Sequence, residues 1–250
     1  MNEFEENSTG GNTAMSRIKV IVPVATSIWN KGALAAMENV KDSKTVIDVT
    51  NLDRGAESIE CSYDESWAAF PTLQAAKVAE EEGYDGVIIY CYGDPALRAA
   101  KEMLTIPVVG IGEASAIIAC SIGYRFGVIT AGPPGAGQYL LDNLKIYELD
   151  HKCVGVRSVG IPVLSLVGAE EEEEERLVQI GKEMLRDGAD VLVLGCGSML
   201  GVAESASKKL GVPIVLPATA ALKVCEAMIS MKLSQSKKAF PIPEVKKRIP

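Results

Sequence analysis

The sequence predicts an α/β fold of two pseudo-symmetric lobes, each with a parallel, Rossmann-like sheet, and an active-site cleft between the lobes. Short apolar runs rich in Val and Ile recur along the chain, which is typical of parallel strands covered on both faces. Segments with helical periodicity alternate with these runs, and such alternation indicates an α/β fold. Both halves show the same order, which indicates a duplicated unit.

The predicted strands and helices follow one another in matching order. The strands are predicted at 20–22, 46–49, 87–90 and 107–110, and their second-half counterparts at 125–130, 154–159, 191–194 and 213–215. The helices are predicted at 67–82, 95–103, 114–122, 171–187 and 218–231. The six glutamates at 170–175 precede an apolar periodicity, and the helix dipole stabilises acidic residues in a first turn. We interpret them as a helix start rather than as an acidic interaction patch or a metal site.

Two cysteines occupy matching places in the two halves. Cys91 and Cys196 each come eight residues after a glycine, and a proline-opened apolar run follows 16 and 17 residues later. The first strand segments of the halves begin 74 and 71 residues before these cysteines. Ligands of open parallel sheets bind outside the carboxyl ends of strands. We therefore expect both thiols to face one substrate.

The residues after each cysteine favour negative charge at the sulfur. Asp94 fits the N-cap of a helix that follows Cys91, while Gly197 and Ser198 leave backbone amides free for an anion. Because helix N-termini stabilise thiolates, we expect the thiol pKa to be lowered. The alternative is that a cysteine only fills space in the core. That is our interpretation of the other four cysteines: Cys61, Cys120, Cys153 and Cys225.

Composition narrows the possible partners. The chain has 250 residues, a formal charge of -8 and a pI near 4.9, which disfavours nucleic acid and favours a small-molecule substrate. We predict no membrane association and a cytoplasmic location, because the sequence lacks a membrane-spanning run and a signal peptide. The sequence contains no CxxC pair, which would be the usual sign of a zinc or dithiol site. Its single histidine, His151, lies in a polar loop and is interpreted as a surface residue. We expect a homo-oligomer.

The domain organisation follows from the duplication. We predict a disordered leader or tag remnant at 1–16, a first α/β lobe at 17–124, a second at 125–231 and a tail at 232–250. The C-terminal helix can cross back to the first lobe. The tail can pack on the body, contact a second subunit or stay mobile.

Several segments in one order carry a resemblance to a known family. They are GAESIE at 55–60, YDE at 63–65, CYGDPAL at 91–97, GIGEA at 110–114, RFGVIT at 125–130 and LGCGSM at 194–199. Together they resemble the aspartate/glutamate/hydantoin racemase superfamily, and within it the hydantoin racemase branch, which includes allantoin racemases. The resemblance implies a cofactor-independent racemase or epimerase of 5-substituted hydantoins or allantoin. It makes Cys91 and Cys196 the acid/base pair that exchanges the substrate's α-proton.

The resemblance also suggests substrate contacts. Backbone amides would come from Gly93, Asp94, Gly197 and Ser198, and side-chain contacts from Thr26, Ser27 and Thr130. The segment at 22–27 departs from the Asn-Pro-Asn-Thr run that is usual in hydantoin racemases, so the ring specificity stays open. Two alternatives remain at this point. One is a maleate-isomerase-like isomerase of a small dicarboxylate with a cysteine nucleophile, and the other is a non-catalytic small-molecule-binding protein.

Overall fold

A computed structural model describes residues 15–247 of the chain. The predicted leader at 1–16 lies outside the described residues except for Met15 and Ser16, and Ser16 opens the first strand. The strands are β1 (Ser16–Val22), β2 (Thr45–Asn51), β3 (Gly86–Ile89), β4 (Val108–Gly110), β5 (Phe126–Thr130), β6 (Cys153–Ser158), β7 (Val191–Leu194) and β8 (Ile214–Val215). The helices are α1 (Asn30–Glu38), α2 (Ser62–Glu81), α3 (Leu97–Met103), α4 (Ile111–Ile122), α5 (Gln138–Ile146), α6 (Glu170–Arg186), α7 (Ala203–Leu210) and α8 (Pro217–Ser230).

Two wholly parallel, four-stranded sheets form the two lobes and confirm the predicted fold class. Their strand orders are β2-β1-β3-β4 and β6-β5-β7-β8, so each lobe repeats the other. The repeat extends to single hydrogen bonds. The Arg17 amide donates to the Asp85 carboxylate at 2.7 Å, and the Arg125 amide donates to the Asp190 carboxylate at 3.0 Å.

Every predicted helix exists, but three further α-helices of the described residues were missed, namely α1, α5 and α7. Helix α2 begins at Ser62 and α4 at Ile111, ahead of the predicted starts at 67 and 114. The extra turn of α2 carries Asp64 and Glu65. Within residues 15–247, no helix is both long and apolar enough to cross a bilayer.

The last helix of each repeat packs partly on the sheet of the other lobe. In α8, Ala221, Leu222 and Cys225 are buried in the core of the first lobe. In α4, Ala116 and Ala119 are buried in a core cluster formed mainly by the second lobe. The two helices also pack against each other. This exchange fixes the relation of the two sheets, because neither sheet is covered by its own repeat alone.

The C-terminal segment is anchored to the first lobe. The side-chain amide nitrogen of Gln235 donates to the carbonyls of Leu104 and Ile106, both at 2.8 Å. Its amide oxygen accepts from the Val108 N–H at 3.2 Å, at the start of β4. The Lys237 ammonium adds hydrogen bonds to carbonyls at the end of α3. Gln235 is buried and satisfies backbone groups that would otherwise lose hydration.

We predict that Gln235→Ala destabilises the protein by about 1–3 kcal/mol, because it leaves buried backbone groups without partners. Urea unfolding followed by circular dichroism measures this change. The exposed Gln179 offers a matched control, since Gln179→Ala removes a similar side chain without removing such bonds. Equal stability of the Gln235→Ala protein and the wild type would contradict the anchoring role.

Candidate active site

A small cavity lies between the lobes, at the carboxyl ends of the central strands. Both lobes contribute to its wall, and both Cys91 and Cys196 line it. The other lining residues are Val22, Pro23, Val24, Trp29, Ser58, Ile59, Glu60, Tyr90, Tyr92, Gly93, Thr130, Ala131, Gly137, Tyr139, Val163, Gly195, Gly197 and Ser198. The strand ends thus bring the two thiols to one small site, as expected for open parallel sheets.

Each cysteine begins a tight turn of the same kind. The amide of Asp94 donates to the carbonyl of Cys91 at 2.9 Å, and the amide of Met199 donates to the carbonyl of Cys196 at 3.3 Å. In both turns, the amide two residues after the cysteine donates to the sulfur, and these amides belong to Gly93 and Ser198. The duplication therefore repeats the hydrogen-bonding environment of the thiol.

Hydrogen bonds join the two halves of the site. The Tyr90 hydroxyl, next to the first cysteine, donates to the Gly197 carbonyl at 2.9 Å, next to the second. A Cβ atom at Gly197 would lie 2.6 Å from the Tyr90 ring, so glycine permits this approach. On another wall, the Glu60 carboxylate accepts from the Ser58 hydroxyl at 3.1 Å and from the Val163 amide of the second lobe at 3.3 Å.

The expected lowering of the thiol pKa is wrong. Burial raises the pKa of Cys91 well above its usual range, although the Gly93 amide opposes this effect. Burial also raises the pKa of Cys196, and the Ser198 hydroxyl and amide oppose it. The Ser198 Oγ lies 2.8 Å from the Cys196 Sγ. The sequence indicated the amides that stabilise the thiolates, but not the free-energy cost of removing a thiolate from water, which raises the thiol pKa.

Asp94 does not have the predicted role of an N-cap on the helix after Cys91. Its φ of 48° is left-handed, and α3 begins only at Leu97. The buried Asp94 carboxylate instead accepts from the Gly112 amide at 3.0 Å and from the Glu113 amide at 2.7 Å, in the first turn of α4. Tyr147 donates its hydroxyl to the same carboxylate. Asp94 is absent from the cavity lining, and its amide is engaged by the Cys91 carbonyl.

Thr26 and Ser27 are also absent from the cavity lining, contrary to expectation. Ser27 is exposed, and the Thr26 hydroxyl accepts a long 3.5 Å hydrogen bond from the Ile28 amide. The chain turns away from the cavity after Val24, and Trp29 returns to line it while packing against the cores of both lobes.

The remaining predicted contacts do line the cavity. Thr130 lies on the wall, and its hydroxyl donates to the Gly195 carbonyl at 2.8 Å. Gly93, Gly197 and Ser198 are lining residues as well. Within residues 15–247, no group of three or more His, Cys, Asp and Glu side chains is arranged to hold a metal ion.

Sequence reasoning missed two polar side chains of the site. Glu60 belongs to the GAESIE segment, in the connection between β2 and α2, where no local pattern indicates that it faces the cavity. Tyr139 comes from the missed helix α5, where no pattern indicated a role. Tyr139 lines the cavity. Burial raises its pKa, and the charges of Cys91, Glu65 and Cys196 raise it further.

The other cysteines differ in their surroundings. Cys225 is buried in the first core, as predicted, and Cys120 and Cys153 are half-buried. The core interpretation of Cys61 is wrong, because this residue is exposed just before α2.

Comparisons with known proteins agree with this architecture. The family described as Asp/Glu/Hydantoin racemase matches residues 18–225. A hydantoin racemase from Pseudomonas sp. (strain NS671) is 34% identical over 235 residues, which cover 93% of this chain and 94% of the relative. The crystal structure of an allantoin racemase from Pseudomonas fluorescens has a TM-score of 0.87 and 30% identity, and covers 94% of this chain and all of that one. An allantoin racemase structure from Klebsiella pneumoniae has a TM-score of 0.85 and 33% identity, and the match covers 92% of this chain and 95% of that one.

The family match covers most of the chain, and the relatives share both its sequence and its two-lobed fold over almost their whole length. The chain therefore belongs to the Asp/Glu/hydantoin racemase family and is a racemase.

Proposed function

We propose that the protein racemises hydantoin-like compounds, either 5-substituted hydantoins or allantoin, without a cofactor, by proton transfer between Cys91 and Cys196. One observation carries the proposal: two thiols in equivalent turns, one from each lobe, line a single cavity. The similarity to hydantoin and allantoin racemases supports the substrate class.

The proposed reaction needs one thiolate and one thiol on opposite faces of the substrate. The thiolate takes the proton from the ring carbon, so the C–H bond breaks and an S–H bond forms. The negative charge that is left on the substrate spreads to the neighbouring carbonyl oxygen, where hydrogen-bond donors stabilise it. The opposite thiol then donates its proton to the other face of the same carbon. Configuration is inverted, and the two sulfurs have exchanged protonation states.

The charge of the cavity favours a neutral ring over a dicarboxylate. Among the lining residues of the described chain, Glu60 is the only charged side chain. A hydantoin ring carries N–H groups that can donate hydrogen bonds to the Glu60 carboxylate. A dicarboxylate would instead be repelled by the negative charge of Glu60, and no cationic side chain among the described lining residues would offset this repulsion. This observation argues against the maleate-isomerase-like alternative. Membership of the racemase family argues against the second alternative, a non-catalytic binding protein, which would bind a ligand without proton exchange.

Three further expectations remain predictions. We propose that the protein is a homo-oligomer, that it is cytoplasmic and that it has no nucleic-acid partner; the acidic composition supports the last of these. Sedimentation of the purified protein would measure its assembly.

We predict that Cys91→Ser and Cys196→Ser each lower the racemisation rate by about 10²–10⁴-fold, because each removes one acid/base group. The measurement uses single enantiomers of 5-substituted hydantoins and of allantoin in deuterium oxide. It follows optical rotation and α-deuteration by NMR, with spontaneous exchange subtracted.

The matched control is Cys120→Ser, which removes a half-buried thiol that does not line the cavity. It should keep wild-type activity. Undiminished racemisation by both catalytic-site variants would exclude the two-thiol mechanism, and a wild type that binds the ring without exchange would favour the binding alternative.

We predict that Ser198→Ala shifts the rise of activity with pH to higher pH. The Ser198 hydroxyl bonds to the sulfur and lowers the pKa of Cys196, so its loss raises that pKa and reduces the thiolate fraction at neutral pH. The rate at pH 7 should fall about tenfold, which corresponds to a shift of about one pH unit.

The measurement is the pH dependence of racemisation between pH 6 and 10. Ser121→Ala serves as the control, because the Ser121 hydroxyl bonds only within α4. A parallel fall in rate at every pH, without a shift, would contradict the assigned effect on Cys196.

We predict that Glu60→Gln raises KM for a hydantoin about tenfold or more, because a charge-assisted hydrogen bond to the ring is lost. Steady-state kinetics would measure this, with maleate, aspartate and glutamate tested in parallel. Faster turnover of any of these acids than of hydantoins by the wild type would overturn the substrate assignment.

A further inference from the structure

Two carboxyl side chains, one half-buried and one buried, occupy equivalent places in the duplicated fold, outside the cavity lining. Glu65 is the fourth residue of α2, and Glu173 is the fourth residue of α6. These helices are counterparts, since each leads from the second strand of its lobe to the third. The third strand in each lobe ends two residues before a cysteine of the site.

Glu65 lies behind the turn that holds Cys91. The Glu65 Oε1 atom occupies the space that a Cβ atom on Gly93 would fill. The amide of Gly93 in turn donates to the Cys91 sulfur. That same oxygen is buried and has no hydrogen-bond partner within the described residues. Burial raises the pKa of Glu65 to about 7, and the charge of Asp94 adds to the effect.

Glu173 has the corresponding properties in the second lobe. Its residue is only 2% exposed, and its Oε1 lacks a partner within the described part of the chain. Burial raises the pKa of Glu173 to about 7, with a smaller contribution from the charge of Glu170. A buried carboxyl without a partner is costly, so its presence at both equivalent sites calls for a use beyond packing.

Each carboxyl acts electrostatically on the cysteine of its own lobe. The charge of Glu65 raises the pKa of Cys91, as do Cys196 and Asp94. The charge of Glu173 raises the pKa of Cys196, and Glu60 on the facing wall acts in the same direction. Three further titratable side chains line the cavity together with the two cysteines, namely Tyr90, Tyr92 and Tyr139.

We propose that Glu65 and Glu173 are a pair of positioning carboxyls, related by the duplication, each of which controls the protonation of the cysteine in its own lobe. The inference rests on the proposed two-cysteine mechanism. In the ionised state, the carboxylate keeps the neighbouring sulfur protonated, as an acid. When the carboxyl gains a proton, that charge disappears and the thiolate forms more easily. The titrations of the two groups are thus coupled.

The proposed reaction requires control over the protonation states of the two sulfurs. Every inversion leaves the two sulfurs with exchanged protonation states, so protons must be redistributed before the same enantiomer can react again. A neighbouring carboxyl that exchanges its own proton with solvent biases this redistribution through its charge, without a hydrogen bond to the sulfur: it favours the thiol when ionised and the thiolate when neutral. A carboxyl with a pKa near 7 is suited to this exchange at neutral pH.

The test measures the thiols directly and needs no substrate. Glu65→Gln and Glu173→Gln remove the charge while keeping the side-chain shape. Above pH 7 the wild-type carboxyls are mostly ionised, so their removal should lower the pKa of the adjacent thiol by about one unit. Iodoacetamide alkylation at pH 8, resolved for each cysteine by mass spectrometry, should become about tenfold faster at Cys91 in Glu65→Gln. It should become about tenfold faster at Cys196 in Glu173→Gln.

The control is Glu171→Gln, which removes the same charge from an exposed place in the same helical turn. It should leave both alkylation rates unchanged, while Glu65→Asp and Glu173→Asp should keep rates near those of the wild type. Thermal unfolding establishes that each variant is folded. Unchanged alkylation at the adjacent cysteine, or equal changes in Glu171→Gln, would overturn the inference.

Racemisation separates this inference from the proposed function. If the wild type racemises hydantoins, the Gln variants should lose the inflection of the pH–rate profile near pH 7. An inflection that survives in both variants would also overturn the inference. If the wild type racemises none of the compounds but the thiol pKa shifts occur, the proposed function fails while the control of the thiols by the carboxyls stands.

Discussion

The exchange of α4 and α8 between the lobes is the constraint on which the site depends. Two thiols can act on opposite faces of one carbon only if they are held at a fixed separation, and they come from different sheets. The exchanged helices complete the core of the opposite lobe, so the sheets cannot separate without exposing apolar surface. The hydrogen bond from Tyr90 to Gly197 adds a local tie beside the two sulfurs.

Burial has two opposite effects on the chemistry of this site. It lowers the fraction of thiolate at neutral pH, because it raises the pKa of both sulfurs. It also makes each thiolate a stronger base once formed, and the carbon acid that we propose as substrate is weak. The amides of Gly93 and Ser198 oppose this rise in pKa. Glu60 is the one charged side chain among the described lining residues, so the cavity is unsuited to binding anions.

The sequence predicted those parts of the molecule that a local pattern encodes. The strands, the five main helices and the equivalent settings of the two cysteines were visible because burial on both faces and duplication leave periodic signals. The N-cap role predicted for Asp94 was wrong because its carboxylate accepts hydrogen bonds from the Gly112 and Glu113 amides of α4 instead. No local sequence pattern indicates such a long-range hydrogen bond. Thr26 and Ser27 lie outside the cavity lining, which no local pattern indicates because the direction of a loop depends on tertiary packing. Glu173 could not be singled out from the sequence, because it lies in a run of six glutamates and only the tertiary structure shows that its side chain is buried.

The position of α8 near the end of the chain also bears on how the protein is made. Ala221, Leu222 and Cys225 complete the core of the first lobe, and Gln235 satisfies the backbone beside β4. The first lobe therefore cannot finish folding on the ribosome as its own residues emerge. It must wait for a segment synthesised more than 100 residues later, and until then its sheet exposes apolar surface. Contacts this distant in sequence slow folding, so the nascent chain is a natural client for chaperones that shield such surfaces.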